Sequence, residues 1–189
     1  MAMSESKNAN PLRNIIKAEY IYRGHILDLR VDHVKFPSGK LKVREVVEHK
    51  NAVALLAVNE AGKVCLISQY RHAIDSDILE IPAGLIETGE DPDQTAIREL
   101  QEEIGYKPAK LIRVMDFYST PGFSTETIIL YYASDLSLSK LPEDDDEFID
   151  VYWFTPEEIL EKIAAGKIKD SKTLLAFYWY YSLGTKLCR

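Results

Sequence analysis

Residues 84–106 read GLIETGEDPDQTAIRELQEEIGY. The stretch places Glu99, Glu102 and Glu103 in one helical window, with Arg98 beside them and Gly105 closing it. Positions i, i+3 and i+4 share a helix face. Three carboxylates on one face repel one another, and folding alone gains nothing from that. A hard divalent cation reverses the balance, because Mg²⁺ binds through carboxylate oxygens and substrate phosphates while keeping several waters. The pattern points to a cation site for diphosphate chemistry. Glu-rich helices are ordinarily solvated faces. Here an apolar stripe of Ala96, Ile97, Leu100 and Ile104 is expected to anchor the helix and leave the acids facing a cleft. Asp93 is the expected N-cap, with Ala96 rather than a glutamate at the capping-box partner position. Gly105 fits a left-handed C-terminal stop.

Outward from the helix, the spacing of Gly84, Glu90, Arg98-Glu99-Leu100, Glu102-Glu103 and Gly105 resembles the Nudix box. Only Tyr106 departs, standing where an aliphatic residue is more usual. The resemblance implies an α+β fold, an α/β/α sandwich in which a mixed β-sheet lies between helices and the box forms a loop-helix-loop. It implies that the carbonyl of Ala83 joins Glu99, Glu102 and Glu103 as a metal ligand. Mn²⁺ would serve by the same ligand logic. Glu90 and Arg98 would hold the box together as an ion pair.

Further motifs are similar to the ADP-ribose pyrophosphatase branch of that family: Ser68-Gln69-Tyr70-Arg71, Leu79-Glu80-Ile81-Pro82-Ala83-Gly84, Thr120 to Glu126, and Gly166 to Thr173. The Arg71 guanidinium suits a charge-assisted contact to phosphate. Glu80 could accept from an adenine amino group or a ribose hydroxyl. Pro121-Gly122 joins a fixed φ to a permissive residue and shapes a loop. The branch places a glutamate in the acidic run Glu143 to Glu147, where it positions or deprotonates the attacking water. Glu147 aligns best with that role and Glu143 is the fallback. The resemblance also implies a homodimer, in which Arg44 of the N-terminal strands completes the partner's substrate site. Tyr20 and Tyr22 could stack on a base or pack in a core.

Along the chain, residues 1–14 are expected to be loosely attached. Residues 15–50 read as an N-terminal antiparallel strand unit: Glu19 to Tyr22, His25 to Phe36 with near period-two alternation, and Leu41 to His49 after the turn Pro37 to Lys40. Residues 51–189 read as the hydrolase core. Ala52 to Val58 and Val64 to Tyr70 are apolar runs expected as buried strands of the mixed sheet. Ile78 to Ile81, Leu111 to Tyr118, Thr127 to Ala133 and Phe148 to Phe154 are further strands. Thr155-Pro156-Glu157-Glu158 opens a helix with a capping box, and Ser171 opens another.

With 189 residues, 46% of them hydrophobic, one domain with a sizeable core is expected. The net charge of −7 argues against a nucleic-acid binder, including a decapping enzyme. An acidic protein handling an anionic diphosphate needs a cation and a few arginines at the site. Cys65 and Cys188 suggest neither a disulfide framework nor zinc, and the four histidines show no ligand spacing. No apolar run is long enough to span a bilayer, and the polar opening reads as no signal peptide. No membrane association and a cytoplasmic location are the expectations. The expected reaction is metal-assisted hydrolysis of a nucleoside diphosphate sugar, ADP-ribose giving AMP and ribose 5-phosphate. GDP-mannose or another sugar nucleotide is the alternative. A noncatalytic nucleotide-binding regulator on this scaffold is disfavoured by the presence of all three glutamates.

Overall fold

The computed structural model describes residues 14–142 and 148–184. The chain divides into two units, residues 1–50 with 120–126 and residues 51–119 with 127–189.

In the first unit, β1 (Ile15–Arg23), β2 (Leu27–Lys35) and β3 (Leu41–His49) form an antiparallel sheet in that order. β1 starts earlier than the expected Glu19, because Ile15 and Lys17 find register partners in Val34 and His33. On β2 the buried residues are Asp32 and Val34, while Leu27, Leu29 and Val31 stay half-buried. Asp32 is tolerated there because Arg30 grips both its oxygens, through Nε at 2.9 Å and Nη2 at 3.0 Å. The segment 120–126 joins this unit through Val47, whose N–H donates to the carbonyl of Phe123 at 2.8 Å.

The second unit holds β4 (Ala52–Ala57), β5 (Val64–Arg71), β6 (Ser76–Glu80), β7 (Ala83–Leu85), α1 (Pro92–Glu103), β8 (Tyr106–Tyr118), β9 (Thr127–Leu138), β10 (Ile149–Phe154), α2 (Pro156–Ala164) and α3 (Ser171–Trp179). Its strands make two sheets rather than the single mixed sheet expected. One is mixed, ordered β7-β4-β9-β8, with β4 and β9 parallel. The other is antiparallel, ordered β10-β5-β6. β5 leaves the first sheet because the turn after β4 carries only an isolated bridge, Val58 to Val64. Asn59 fixes that turn, its Oδ1 accepting from the N–H groups of Ala61 and Lys63 at 3.0 Å each.

β4 is buried at every position. Its alternate residues serve two cores. Val53, Leu55 and Ala57 join Ile129 and Tyr131 of β9 and Ala96 and Leu100 of α1. Ala52, Ala54 and Leu56 join Leu130 and Tyr132 of β9, Ile159 of α2, and Ala176 and Phe177 of α3. Helices therefore cover both faces, and the continuous apolar run in the sequence is the mark of that double burial. α2 opens with the full capping box at Thr155 and Glu158. Asp170 caps α3. No helix among the described residues is long and apolar enough to cross a membrane.

Candidate active site

The helix α1 starts one residue after Asp91, whose Oδ1 accepts from the N–H of Asp93 at 2.9 Å with Pro92 in the first turn. Asp91 replaces Asp93 as the cap because Pro at N1 brings its own helical φ. The carboxylate of Asp93 instead accepts from the Tyr131 hydroxyl at 2.5 Å. Gly105, at φ +77°, turns the chain away as expected. The helix is pinned on its inner side by Ala96, Leu100 and Ile104, whereas Ile97 is only half-buried. Glu99 and Glu103 are buried as well. They lie three residues after Ala96 and Leu100 respectively, so they flank the apolar stripe instead of facing away from it.

Two backbone positions receive these buried acids. The N–H of Ala83 donates to Glu103 Oε2 at 3.0 Å. Gly84 lies against Glu99 so closely that a Cβ there would stand 1.9–2.3 Å from the carboxyl atoms. Any side chain at this position would displace the Glu99 carboxyl group. Arg98 ties the acidic group together. Its Nε and Nη2 hold both oxygens of Glu90 at 2.9 and 3.0 Å. Its Nη1 donates to Glu99 Oε1 and Glu102 Oε2, each at 2.7 Å. The expected Glu90–Arg98 pair is thus the base of a larger hub. Hydrogen bonds from Arg98 hold the Glu90 carboxyl down at about 2. The Arg98 pKa rises in turn, through its bond to Glu90 and against its own burial.

A second charged cluster lies at the end of β6. Glu80 is fully buried, not an exposed strand-end acid. Arg71 Nε donates to its Oε1 at 2.7 Å, and Lys172 of α3 holds its Oε2. Lys172 also meets Asp170 Oδ1 at 3.1 Å. Asp170 Oδ2 accepts from Thr173, and Thr173 Oγ1 accepts from the N–H of Ile81 at 2.9 Å. Burial opposes the charge on Arg71, yet the bond to Glu80 and the charges of Glu80, Glu103 and Asp170 leave its pKa raised. Arg71 therefore lies within the electrostatic reach of a box carboxylate. The five residues Glu80 to Gly84 form a seam: Glu80 and Ile81 are clipped to α3, Pro82 accepts from the N–H of Leu55 at 2.9 Å, and Ala83 and Gly84 receive the acids of α1.

The second unit thus brings together Arg71, Glu80, Ala83, Glu99, Glu102 and Glu103. Arg44 and Pro121 belong to the first unit. Arg44 is exposed there, donating to the Val43 carbonyl at 3.0 Å with its guanidinium 5.6 Å from the Phe36 ring centre. One face of the Tyr20 ring is taken by the Arg23 guanidinium at 4.0 Å, and the Tyr22 ring packs against Gly24. Glu147 and Glu143 lie outside the described residues. So does Cys188. Cys65 is a buried core residue, and burial pushes its thiol up. The sequence reading missed Lys172 and Asp170, although both stand in the motif Gly166 to Thr173.

Among the described residues no three acidic, imidazole or thiol groups stand as a preformed cation cage. The donor set still fits a hard divalent cation. It consists of oxygens alone, three carboxylates and the Ala83 carbonyl. Glu99 fills the space that a Cβ at Gly84 would occupy, which fixes where its oxygens stand.

A family model described as the NUDIX domain matches residues 48–177, and one described as the nucleoside diphosphate sugar hydrolase N-terminal domain matches residues 14–47. The chain is 41% identical over 166 residues to an ADP-ribose pyrophosphatase of Bacillus subtilis, covering 87% of this chain and 90% of that one. It is 42% identical over 163 residues to a methanol dehydrogenase activator of Bacillus methanolicus, covering 85% and 88%. A solved structure described as an ADP compounds hydrolase superposes with a TM-score of 0.81 at 20% identity, over 93% of this chain and 99% of the other, which shows the fold.

Proposed function

The chain belongs to the Nudix hydrolases, in their ADP-ribose pyrophosphatase branch, and is a pyrophosphohydrolase; from that premise we propose that its substrate is ADP-ribose, cleaved to AMP and ribose 5-phosphate with Mg²⁺. Divalent metal is a general need of the family. Glu99, Glu102, Glu103 and the carbonyl of Ala83 are the residues that would hold it. The chemistry it supplies when bound is neutralisation of the diphosphate charge and acidification of water. The observation that carries this assignment is the docking of Glu99 and Glu103 onto Gly84 and Ala83. It fixes two anionic side chains against the backbone at a position that Arg71 also reaches electrostatically.

In the proposed reaction, water oxygen bonds to one phosphorus while the bridging P–O bond on the far side breaks. The leaving phosphate keeps the bonding pair, and the water proton passes to a base. Glu147 is assigned as that base or as the group that orients the water. Arg71 binds a phosphate oxygen and keeps the diphosphate in line. Arg98 keeps Glu99 and Glu102 in place.

Residues 15–50 are assigned as a dimerisation element, with Arg44 completing the partner's substrate site and Pro121 shaping a loop beside bound nucleotide. Support comes from the exposure of Ile15, Ile16, Ile21, Leu41 and Val43 on a sheet whose β1 edge is unpaired among the described residues. It also comes from the match of residues 14–47 to the sugar-nucleotide hydrolase N-terminal domain.

The test is product identification by mass after incubation with ADP-ribose and Mg²⁺ in ¹⁸O water, with GDP-mannose as a parallel substrate. Equal amounts of AMP and ribose 5-phosphate, one of them carrying a single label, are expected. Faster turnover of GDP-mannose by kcat/KM would overturn the substrate assignment.

A further inference from the structure

Glu80 is a buried carboxylate held by two cations from different elements. Its side chain is 1% exposed, that of Lys172 is 12% exposed and that of Arg71 is 39% exposed. The cluster therefore runs from the interior at Lys172 to an opening at Arg71. A buried carboxylate paired with one arginine ordinarily takes two parallel N–H bonds from it. Here Arg71 does not take it. Lys172 sits on Oε2 and competes for it, and among the described residues Arg71 makes one bond to Glu80, from Nε to Oε1. Its outer nitrogens, Nη1 and Nη2, are not drawn into the carboxylate. Those are the atoms that a phosphate oxygen would accept from.

We propose that Lys172, acting through Glu80, is a positioning residue that holds Arg71 to a one-bond geometry and keeps its outer nitrogens directed to the diphosphate. Asp170 and Thr173 complete the device. Asp170 caps α3 and holds the Lys172 ammonium, and Thr173 fixes the backbone of Ile81 beside Glu80. α3 thereby has a part in substrate binding without touching substrate. The proposal rests on the assignment of Arg71 to phosphate.

The test is a double-mutant cycle on the full-length protein. Lys172→Met is expected to raise KM for ADP-ribose about tenfold, the scale of one lost charge-assisted hydrogen bond, with kcat much less affected. Calorimetric affinity for α,β-methylene ADP-ribose, measured in EDTA so that no cation takes part, falls by the same factor. In the Arg71→Ala background, Lys172→Met has no further effect on either quantity. Lys172→Arg, which keeps a cation on Glu80, restores most of the affinity. A thermal scan on each variant monitors folding. If Lys172→Met does not fold, Lys172→Gln takes its place with the same expected results. Effects of Lys172 and Arg71 substitutions that multiply, or an unchanged KM in Lys172→Met while Arg71→Ala raises it, would overturn the proposal alone. An unchanged KM and affinity in Arg71→Ala would overturn the phosphate assignment and the proposal with it.

Discussion

Glu102 keeps 23% of its side chain exposed and shares Arg98 Nη1 with Glu99. Glutamine there preserves size and an acceptor oxygen but removes the anion. Glu102→Gln is expected to fold with an unchanged thermal midpoint and to lose several kcal/mol of transition-state stabilisation, the scale of a cation's charge neutralisation. Near-parental kcat with saturating Mg²⁺ would show that Glu102 is no ligand. Gly84→Ala inserts a methyl group where the Glu99 carboxyl lies. The displaced group is the end of a flexible side chain, so activity suffers more than stability. A fall in kcat/KM of about a hundredfold is expected, the cost of misplacing a reacting array by an ångström, with a small shift in melting temperature. Glu90 titrates at about 2 when folded, against an ordinary 4.5. A depressed folded pKa stabilises the protein above the unfolded value, and that contribution disappears as pH falls from about 4.5 through 2. Glu90→Gln is expected to flatten the acid limb of a stability-versus-pH curve over this window. An identical acid limb in the two proteins would contradict it.

α1 was legible in the sequence as an element, and its cap and its buried face were not. The Pro at position 92 signals a cap at Asp91, yet Asp93 looks equivalent by residue type alone. The burial of Glu99 and Glu103 depends on Ala83 and Gly84 coming to meet them, and that contact belongs to the tertiary structure. β4 and β5 were legible as buried strands because each is apolar on both alternating faces. Their separation into two sheets was not, since pairing partners such as β9 and β10 come from far along the chain. Arg71 and Glu80 show the same limit. The register partner of Arg71 is Ser76 and that of Glu80 is Ile67, so their ion pair follows from long side chains reaching along the sheet. At the start of α2 the local signal sufficed: Thr155 Oγ1 accepts from the N–H of Glu158 at 3.3 Å, and Glu158 Oε2 accepts from the N–H of Thr155 at 2.7 Å. Thr155→Ala is expected to cost about 1 kcal/mol, and a thermal midpoint unchanged within error would show that α2 does not depend on its cap.

For the molecule as a whole, the first unit's sheet carries its apolar residues in the open, with Ile21 62% and Leu41 60% exposed. Removal of residues 1–48 from a dimer held by this sheet is expected to give a poorly soluble or inactive protein, whereas removal of residues 1–12 leaves both activity and oligomeric state unchanged. Light scattering at micromolar concentration reads the assembly directly, and a fully active monomer would refute it. The parallel pairing of β4 with β9 has a consequence during synthesis. Asn51 and Thr127, joined by a hydrogen bond at the head of that pairing, are 76 residues apart. A ribosome adding about 5–20 residues per second leaves β4 without its central partner for several seconds. Throughout that time its six apolar residues stand ready to pair with another nascent chain. Yield in a cell is therefore expected to rise with chaperone supply during this interval.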